Sequence, residues 1–281
     1  QHMNNKNIRH VLGISGGKDS AALAVYMRDK IPNMEYFFCD TGKELREVYD
    51  YINKLEAFLG KKIIRLPNEL DGSLNDFDHL LKLNGNFLPS PQARWCTRQM
   101  KLEPFEDFIK GSKAVNYVGI RYEESLYRKG YQPLVGNQNY IEVKFPFVEN
   151  KIEYNDVLNI LNDAGVGVPD YYKWRTRSGC YFCFYQRASE WVGLYEHHPD
   201  LFEEAMNYEK VDNINGSKFT WRQGESLEDM IKPERMKQIK ENALKNREKV
   251  EKSLKGRPLI ERLEEARDLE DSKIPCLICH L

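Results

Sequence analysis

The sequence predicts an α/β protein with a parallel sheet, followed by a mainly helical C-terminal extension. Short apolar segments typical of strands alternate with longer segments of helical periodicity through the first 168 residues. The first strand-like segment, at 8–14, runs into a glycine turn and then into an Ala-rich helical segment. Strands that alternate with helices form βαβ units, and right-handed crossovers make their strands parallel.

The elements are predicted in chain order from hydrophobic spacing and from turn residues. Between the elements, the stretch from 71 to 95 is irregular and rich in Asn, Gly and Pro. Strands are expected at 8–14, 35–39, 62–66 and 114–120, with a further extended segment at 140–148. Helices are expected from Lys18, at 45–59, at 101–110 and at 154–162.

Two domains are expected from the change in composition near residue 168. Residues 4–168 form the strand-and-helix domain, and residues 169–281 form the extension. Within the extension, residues 225–272 are rich in Lys, Glu and Arg of alternating sign, which predicts a solvated pair of helices.

Composition excludes several classes of protein. The 42 basic residues balance 43 acidic ones, so the net charge is −1 and no uniform cationic surface holds the chain to nucleic acid. No apolar run approaches the roughly 20 residues that a membrane span needs. The polar N-terminus does not resemble a signal peptide. We therefore expect a soluble, cytoplasmic protein with no membrane partner.

The first strand and helix are joined by a turn suited to binding phosphate. Glycines allow close approach of the backbone to a polyanion, and the helix N-terminus supplies free N–H groups and a positive dipole end. An acidic residue in such a turn repels phosphate unless a divalent cation lies between them, which indicates Mg²⁺. The alternative is an ordinary turn in which Asp19 or Ser20 caps the helix. The turn is Ser15-Gly16-Gly17-Lys18-Asp19-Ser20.

Four cysteines form two Cys-x-x-Cys pairs, Cys180 with Cys183 and Cys276 with Cys279. Four thiolates are the usual ligands of tetrahedral Zn²⁺ and equally of a [4Fe–4S] cluster, and the ligand types do not separate the two. Four free cysteines are the alternative. Cys96 is a candidate fifth sulfur ligand or sulfur acceptor.

Four segments resemble the PP-loop ATP pyrophosphatase superfamily, and within it the branch of phosphoadenosine-phosphosulfate (PAPS) reductase-like proteins. They are 15–20, 38–42, 94–104 and 118–125. The resemblance extends over roughly residues 8–200. It implies the Rossmann-like fold of adenine nucleotide alpha hydrolases.

The resemblance also implies a set of site residues. The pyrophosphate of ATP would lie on the loop, with Lys18 and Asp19 among the catalytic groups. Adenosine would lie over the carboxyl ends of the first two strands. Arg121 and Lys101 are candidates for binding the phosphates, with surface ion pairs to nearby glutamates as the alternative. The remaining nucleotide-binding candidates are Asp40, Thr41, Gly42 and Gly119.

The function implied by the resemblance is cleavage of ATP to AMP and pyrophosphate, which activates an acceptor for sulfur incorporation. The best-matching role is the ATP-pyrophosphatase component of DNA phosphorothioate modification in bacterial defence. Partner proteins of such a sulfur-modification system would then present the DNA, because a chain of near-zero net charge binds DNA weakly. The alternatives are a thiol-dependent PAPS or APS reductase and a sensor that binds ATP without turnover. The sequence leaves open whether the chain forms a homodimer.

Overall fold

Five strands form a single parallel sheet in the computed structural model, which describes residues 8–66, 76–127, 140–209 and 219–254. The strand order is β3-β2-β1-β4-β5, and every neighbouring pair is parallel. The strands are β1 (Ile8–Gly13), β2 (Glu35–Cys39), β3 (Ile63–Leu66), β4 (Lys113–Tyr117) and β5 (Ile141–Lys144). This is the Rossmann-like α/β sheet that the sequence predicts.

The order in which the chain adds strands to the sheet reverses at β1. From β1 the chain moves outward through β2 to β3, and it then returns to place β4 on the opposite side of β1. Open α/β sheets bind ligands in the crevice that such a reversal leaves at the carboxyl ends of the strands. The turn after β1 therefore lies where this fold binds ligands.

The helices lie between the strands and continue beyond β5. The first half contains α1 (Lys18–Met27), α2 (Arg46–Leu59), α3 (Phe77–Leu83), α4 (Trp95–Thr97), α5 (Glu103–Ile109) and α6 (Tyr122–Tyr127). The second half contains α7 (Pro146–Glu149), α8 (Tyr154–Asp163), α9 (Ala188–His197), α10 (Pro199–Tyr208), α11 (Leu227–Met230) and α12 (Pro233–Leu254). None of the helices in the described ranges has the length and apolarity needed to cross a membrane.

Three elements differ from their predicted form. The extended segment expected at 140–148 ends at Lys144, because Pro146 occupies a first-turn position that favours the start of a helix. The helix expected at 101–110 is preceded by a π-helical turn at Arg98–Leu102. In the charged region, α12 ends at Leu254, and the rest of the predicted helix pair lies outside the described residues.

Buried side chains pack on both faces of the sheet. Neighbouring strand residues point to opposite faces, so Leu12 belongs to one apolar cluster and Val11 to the other. The larger cluster includes residues beyond 168, among them Tyr171 and Trp191. Cys39 is in the smaller cluster, and burial raises the pKa of its thiol to about 12, so it is a core residue.

Candidate functional site

The turn between β1 and α1 is held by its own hydroxyl groups. The Ser15 N–H donates to Ser20 Oγ at 3.1 Å, and that hydroxyl donates to the Gly17 carbonyl at 3.2 Å. Gly16 has a φ of +73°, and a Cβ there would lie 2.5 Å from Val48 Cγ1. Only glycine fits at Gly16, so the turn brings its bare backbone to the crevice.

The N-cap residue of α1 is Gly17, which has no side chain to cap the helix. The sequence left open that Asp19 or Ser20 merely caps this helix. Ser20 instead accepts from Ser15, and the Asp19 carboxylate pairs with basic side chains. The positive end of the α1 dipole is therefore available to an anion.

A buried charged cluster lies beside this turn. Asp19 pairs with Lys18 Nζ at 2.8 Å and with Arg121 Nη1 at 2.7 Å. Arg121 also pairs with Glu123 at 2.8 Å and with Glu124 at 3.3 Å. Burial alone would lower the pKa of Arg121, but the three carboxylates outweigh burial and raise it. Arg121 therefore stays charged. Three carboxylates face two cations, so the formal charge of the cluster is negative.

Three residues of a later segment contact the same turn, and sequence reasoning missed all of them. Tyr171 donates its hydroxyl to the Gly16 carbonyl at 2.8 Å. The Lys18 N–H donates to the Tyr172 hydroxyl at 3.2 Å. Ser178 Oγ donates to Ser15 Oγ at 3.1 Å. The aromatic character of this segment was visible in the sequence, but nothing there indicated its contact with residues more than 150 positions earlier.

Gly119, a predicted nucleotide-binding residue, lies after β4 and against α1. A Cβ at Gly119 would lie 3.0 Å from the carbonyl oxygen of Asp19. The absence of a side chain at Gly119 therefore lets the segment after β4 approach the backbone of α1 at Asp19, and Arg121, two residues later, lies beside the turn. The ion pair with Glu124 that the sequence offered as the alternative for Arg121 is present, but it is buried within the charged cluster and does not lie on the surface.

The Asp40-Thr41-Gly42 segment follows β2 at the same edge of the sheet. Asp40 Oδ1 accepts from the Gly42 N–H at 2.9 Å and from the Tyr49 hydroxyl at 2.8 Å. Gly42 has a φ of +67°, which glycine adopts without strain. Thr41 is buried and donates to Glu44 Oε1 at 2.9 Å.

A mainly apolar pocket lies next to Thr41, with a cavity volume of about 40 Å³. Three thiols line it, those of Cys96, Cys180 and Cys183, together with Lys101. We call it the cysteine pocket. Lys101 was expected at the phosphates, whereas the structure places it among these thiols.

Glu44 is buried beside Thr41 and Cys180, two residues that line the cysteine pocket. Cys180 Sγ lies 3.7 Å from Glu44 Oε1 and 3.3 Å from the Thr41 hydroxyl. Burial raises the pKa of Glu44 and that of Cys180. The charge of Lys101 opposes both shifts. The pocket therefore favours neutral thiol and carboxyl groups.

Only half of the predicted metal-ligand set can be located. Cys180 and Cys183 line the cysteine pocket, while Cys276 and Cys279 lie outside the described residues. Within the described ranges, no group of three or more His, Cys, Asp or Glu side chains has the arrangement of a metal site.

A family comparison adds to this geometry. The sequence model of the phosphoadenosine phosphosulfate reductase domain matches residues 9–184. The chain belongs to the phosphoadenosine phosphosulfate reductase domain family. The matched range contains the phosphate-binding turn, the charged cluster and the three thiols of the cysteine pocket.

Curated relatives of this family member come from an archaeon and a phage. Two uncharacterized proteins of Methanocaldococcus jannaschii are 28% and 27% identical, over 87% and 70% of this chain. The aligned regions cover 57% and 40% of those proteins, so the chain spans about half the length of these relatives. An uncharacterized 37.8 kDa protein of Escherichia phage 186 is 22% identical over 72% of this chain and 75% of its own length.

Solved structures with a similar chain course include two enzymes. A PAPS reductase from Candida auris, solved as a phosphate complex, has a TM-score of 0.48 and 16% identity, covering 62% of this chain and 82% of its own. The NMN synthetase of Francisella tularensis has a TM-score of 0.41 and 15% identity, covering 59% and 65%.

Proposed function

We propose that this family member is an ATP pyrophosphatase. In this proposal ATP binds with Mg²⁺ at the turn of residues 15–20, and the bond between its α- and β-phosphates is cleaved. The observation that carries the proposal is the N-terminus of α1, with Gly16 and Gly17 before it and Lys18 and Arg121 beside it. Family membership supports the binding of a nucleotide.

The residues of the turn fit a bound polyphosphate. A Cβ at Gly17 would lie 2.8 Å from Ser178 Oγ, so any side chain would fill the space beside the backbone. Phosphoanhydride cleavage requires positioning and neutralisation of charge more than it requires a protein nucleophile. Lys18 and Arg121 would neutralise the phosphoryl oxygens, and Asp19 holds both cations in place. When bound, Mg²⁺ would add charge neutralisation at the same oxygens.

The acceptor is proposed to lie on the side of the cysteine pocket. Adenosine placed near Asp40 and Gly42 would leave the α-phosphate between the turn and Thr41, a residue that also lines the pocket. An acceptor oxygen adenylated there would be exposed to sulfur delivered through the thiols. We propose DNA phosphorothioate modification as the pathway. Partner proteins would present the DNA, since the net charge is only −1.

The thiols are proposed to hold Zn²⁺ or a [4Fe–4S] cluster. Cys180 and Cys183 would act with Cys276 and Cys279, and Cys96 is a further sulfur on the same pocket. Such a metal would join the C-terminal segment that carries Cys276 and Cys279 to the part of the chain that carries Cys180 and Cys183, and its binding energy would add to folding. Metal analysis combined with an absorbance spectrum distinguishes colourless Zn²⁺ from a brown cluster. If the purified protein contains neither zinc nor iron, the proposed metal site is wrong.

A sulfonucleotide reductase is the second candidate. The grouping of Cys96, Cys180 and Cys183 on one pocket favours it, because a reductase of PAPS or APS needs thiol electrons. The third candidate, an ATP sensor without turnover, is disfavoured by the charged cluster, since simple binding does not require a carboxylate beside phosphate.

One incubation series separates the three candidates. With ATP and Mg²⁺, an ATP pyrophosphatase forms AMP and pyrophosphate, and formation of ADP and phosphate would contradict the proposal. With PAPS and a dithiol, release of sulfite identifies a reductase. Tight binding of ATP without product over several hours identifies a sensor. A gel shift at physiological salt should show little DNA binding by the chain alone.

A further inference from the structure

The carboxylate of Asp40, directly after β2, is held in one orientation by two donors. Asp40 Oδ1 accepts from the Gly42 N–H at 2.9 Å and from the Tyr49 hydroxyl at 2.8 Å. Burial raises the pKa of Tyr49, and the hydrogen bond to Asp40 raises it further, so this hydroxyl keeps its proton and donates. The two bonds occupy both lone pairs of Oδ1, and they prevent the carboxylate from turning.

The second oxygen of the same carboxylate can still accept a hydrogen bond. Its recorded partner is Arg65 Nη1, which lies 3.5 Å from Asp40 Oδ2, beyond the usual length of a hydrogen bond. The Asp40 side chain is 21% exposed, so a ligand in the crevice can reach it. A carboxylate oxygen accepts from two donors, so Oδ2 can take a donor from a ligand in addition to Arg65.

Arg65 brings a positive charge to the same place from the neighbouring strand. It lies on β3, and the Asp40 N–H donates to the carbonyl of Leu66, the next residue, at 2.7 Å. The guanidinium lies over the Tyr49 ring, 5.4 Å from its centroid. Asp40 and Arg65 therefore form a pair of zero net charge. A ligand hydroxyl would donate to the carboxylate, whereas a ligand phosphate would need the guanidinium.

The pair lies one strand away from the turn at residues 15–20. The turn follows β1, Asp40 follows β2, and these two strands are paired in parallel. In nucleotide-binding sheets of this strand order, an acidic residue in this region accepts from a ribose hydroxyl, whereas an arginine accommodates a ribose phosphate. Here the carboxylate cannot turn away and already pairs with Arg65. A phosphate on the ribose would therefore meet its negative charge at close range.

We propose that the site takes an adenosine nucleotide whose ribose is unphosphorylated, with Asp40 Oδ2 accepting from a ribose hydroxyl. Tyr49 is then a positioning residue, because it acts through the carboxylate. The inference rests on the proposed function, since it needs a nucleotide with its phosphates on the turn. It assigns ATP or APS to this site in preference to PAPS, which carries a phosphate on its ribose.

The test is calorimetric titration of the full chain with one nucleotide at a time, each with Mg²⁺. We expect AMP to bind at least about tenfold more tightly than adenosine 3′,5′-bisphosphate, because the added phosphate faces a like charge. ADP should bind about tenfold more tightly than 2′-deoxy-ADP or 3′-deoxy-ADP, whichever lacks the donating hydroxyl. That factor is the usual effect of losing a hydrogen bond to a charged group.

Asp40→Asn separates the two oxygens of the carboxylate. The amide keeps an oxygen for Gly42 and Tyr49 but replaces Oδ2 with an N–H donor. The preference for AMP over the bisphosphate should therefore fall at least about tenfold, and the deoxy analogues should bind as well as ADP. Inorganic pyrophosphate affinity should stay within twofold. Asp50→Asn, at an exposed pair on α2, is the matched control and should keep the wild-type preference.

Three results would overturn the inference. The wild type could bind the bisphosphate as tightly as AMP, or bind both deoxy analogues as tightly as ADP. Asp40→Asn could keep the wild-type preference. The variant could also lose pyrophosphate affinity equally and melt well below the control, which would show a structural role. If the wild type binds neither ATP nor pyrophosphate, the proposed function is wrong as well. If it cleaves ATP but accepts the bisphosphate equally, only this inference fails.

Discussion

The turn at residues 15–20 and the cysteine pocket lie at the same edge of the sheet, but their buried side chains differ in charge state. At the turn, burial is accompanied by paired charges, so Arg121 remains ionised beside Asp19. At the pocket, burial raises the pKa of both Glu44 and Cys180, which favours their neutral forms. The comparison shows that burial keeps side chains charged where opposite charges are paired and favours neutral side chains where they are not.

The two regions are also held by different means. The shape of the turn requires glycine at Gly16 and Gly17. The backbone of the pocket wall is held by hydrogen bonds from one buried side chain, that of Arg175. Arg175 donates to the Gly179 carbonyl at 3.0 Å and to the Cys180 carbonyl at 2.7 Å. Variants should therefore damage one region without the other, which the following changes test.

The largest effect is expected from Asp19→Ala. Removal of this carboxylate frees Lys18 and Arg121 from their common partner, so the formation of AMP should fall by about 100-fold or more. The assay is the release of AMP from ATP with Mg²⁺. Alkylation of the pocket thiols should not change. Asp50→Ala, at an exposed pair with Arg46, is the control and should keep full activity.

Cys180→Ser should affect the other region. If the thiols hold a metal, the purified variant should contain at least about tenfold less of it, because a structural site loses most of its affinity with one ligand. Pyrophosphate affinity should stay within twofold. Cys39→Ser, which alters a core cysteine of the opposite cluster, should retain the metal. Equal metal content in both variants would contradict the proposed ligand role.

Gly17→Ala tests the space beside the turn. The new Cβ would lie 2.8 Å from Ser178 Oγ and 3.2 Å from Ser178 Cβ. We expect about tenfold weaker pyrophosphate binding, with the melting temperature nearly unchanged. Ser178→Gly in the same chain removes the clashing atoms and should restore most of the affinity. A double variant as weak as the single one would show that this contact is not the cause.

The smallest effect on the site itself is expected from Glu190→Gln, which acts on stability by weakening the support of the segment that carries Cys180 and Cys183. Glu190 is buried and accepts from Thr176 at 2.7 Å and from the Arg187 N–H at 3.0 Å. Burial alone would raise the pKa of Glu190, but Arg175 and these hydrogen bonds outweigh burial and lower it. At pH 7 the variant should lose about 2 kcal/mol of unfolding free energy.

The pH dependence of that loss has a definite sign. A carboxyl whose pKa is lower in the folded state contributes its full stability above the unfolded pKa of about 4.3, and loses it as pH falls through the lowered value. The difference in unfolding free energy between the wild type and Glu190→Gln should therefore become smaller as the pH falls, and urea unfolding measures it. Glu196→Gln, at an exposed pair with Lys240, should cost less than about 1 kcal/mol at any pH.

Local features of the molecule could be predicted from the sequence. The strand, glycine turn and helix at 8–27 follow from residues that are adjacent in the chain, and so does the parallel sheet. The helix at Pro146–Glu149 was missed because Ile141–Phe145 alternates apolar and charged residues, as a strand does, and the apolar residues that follow looked like a continuation of that strand.

Contacts between distant residues could not be predicted in the same way. Tyr172 reaches Lys18, and Glu44 meets Cys180, across more than 130 positions each. Lys101 was assigned to the phosphates from its motif, but the π-helical turn that ends at Leu102 carries it to the cysteine pocket. Whether such a residue lies at the turn or at the cysteine pocket depends on the fold and does not follow from its motif.

The stretch from Tyr171 to Cys183 is fastened at both ends. Tyr171 is bonded to the Gly16 carbonyl, and the Tyr181 N–H is bonded to the Lys43 carbonyl at 2.9 Å. It therefore sets the distance between the turn at residues 15–20 and the thiols of Cys180 and Cys183. An insertion or deletion within it would shift one site relative to the other, so its length is constrained even at positions where the identity of the residue is not.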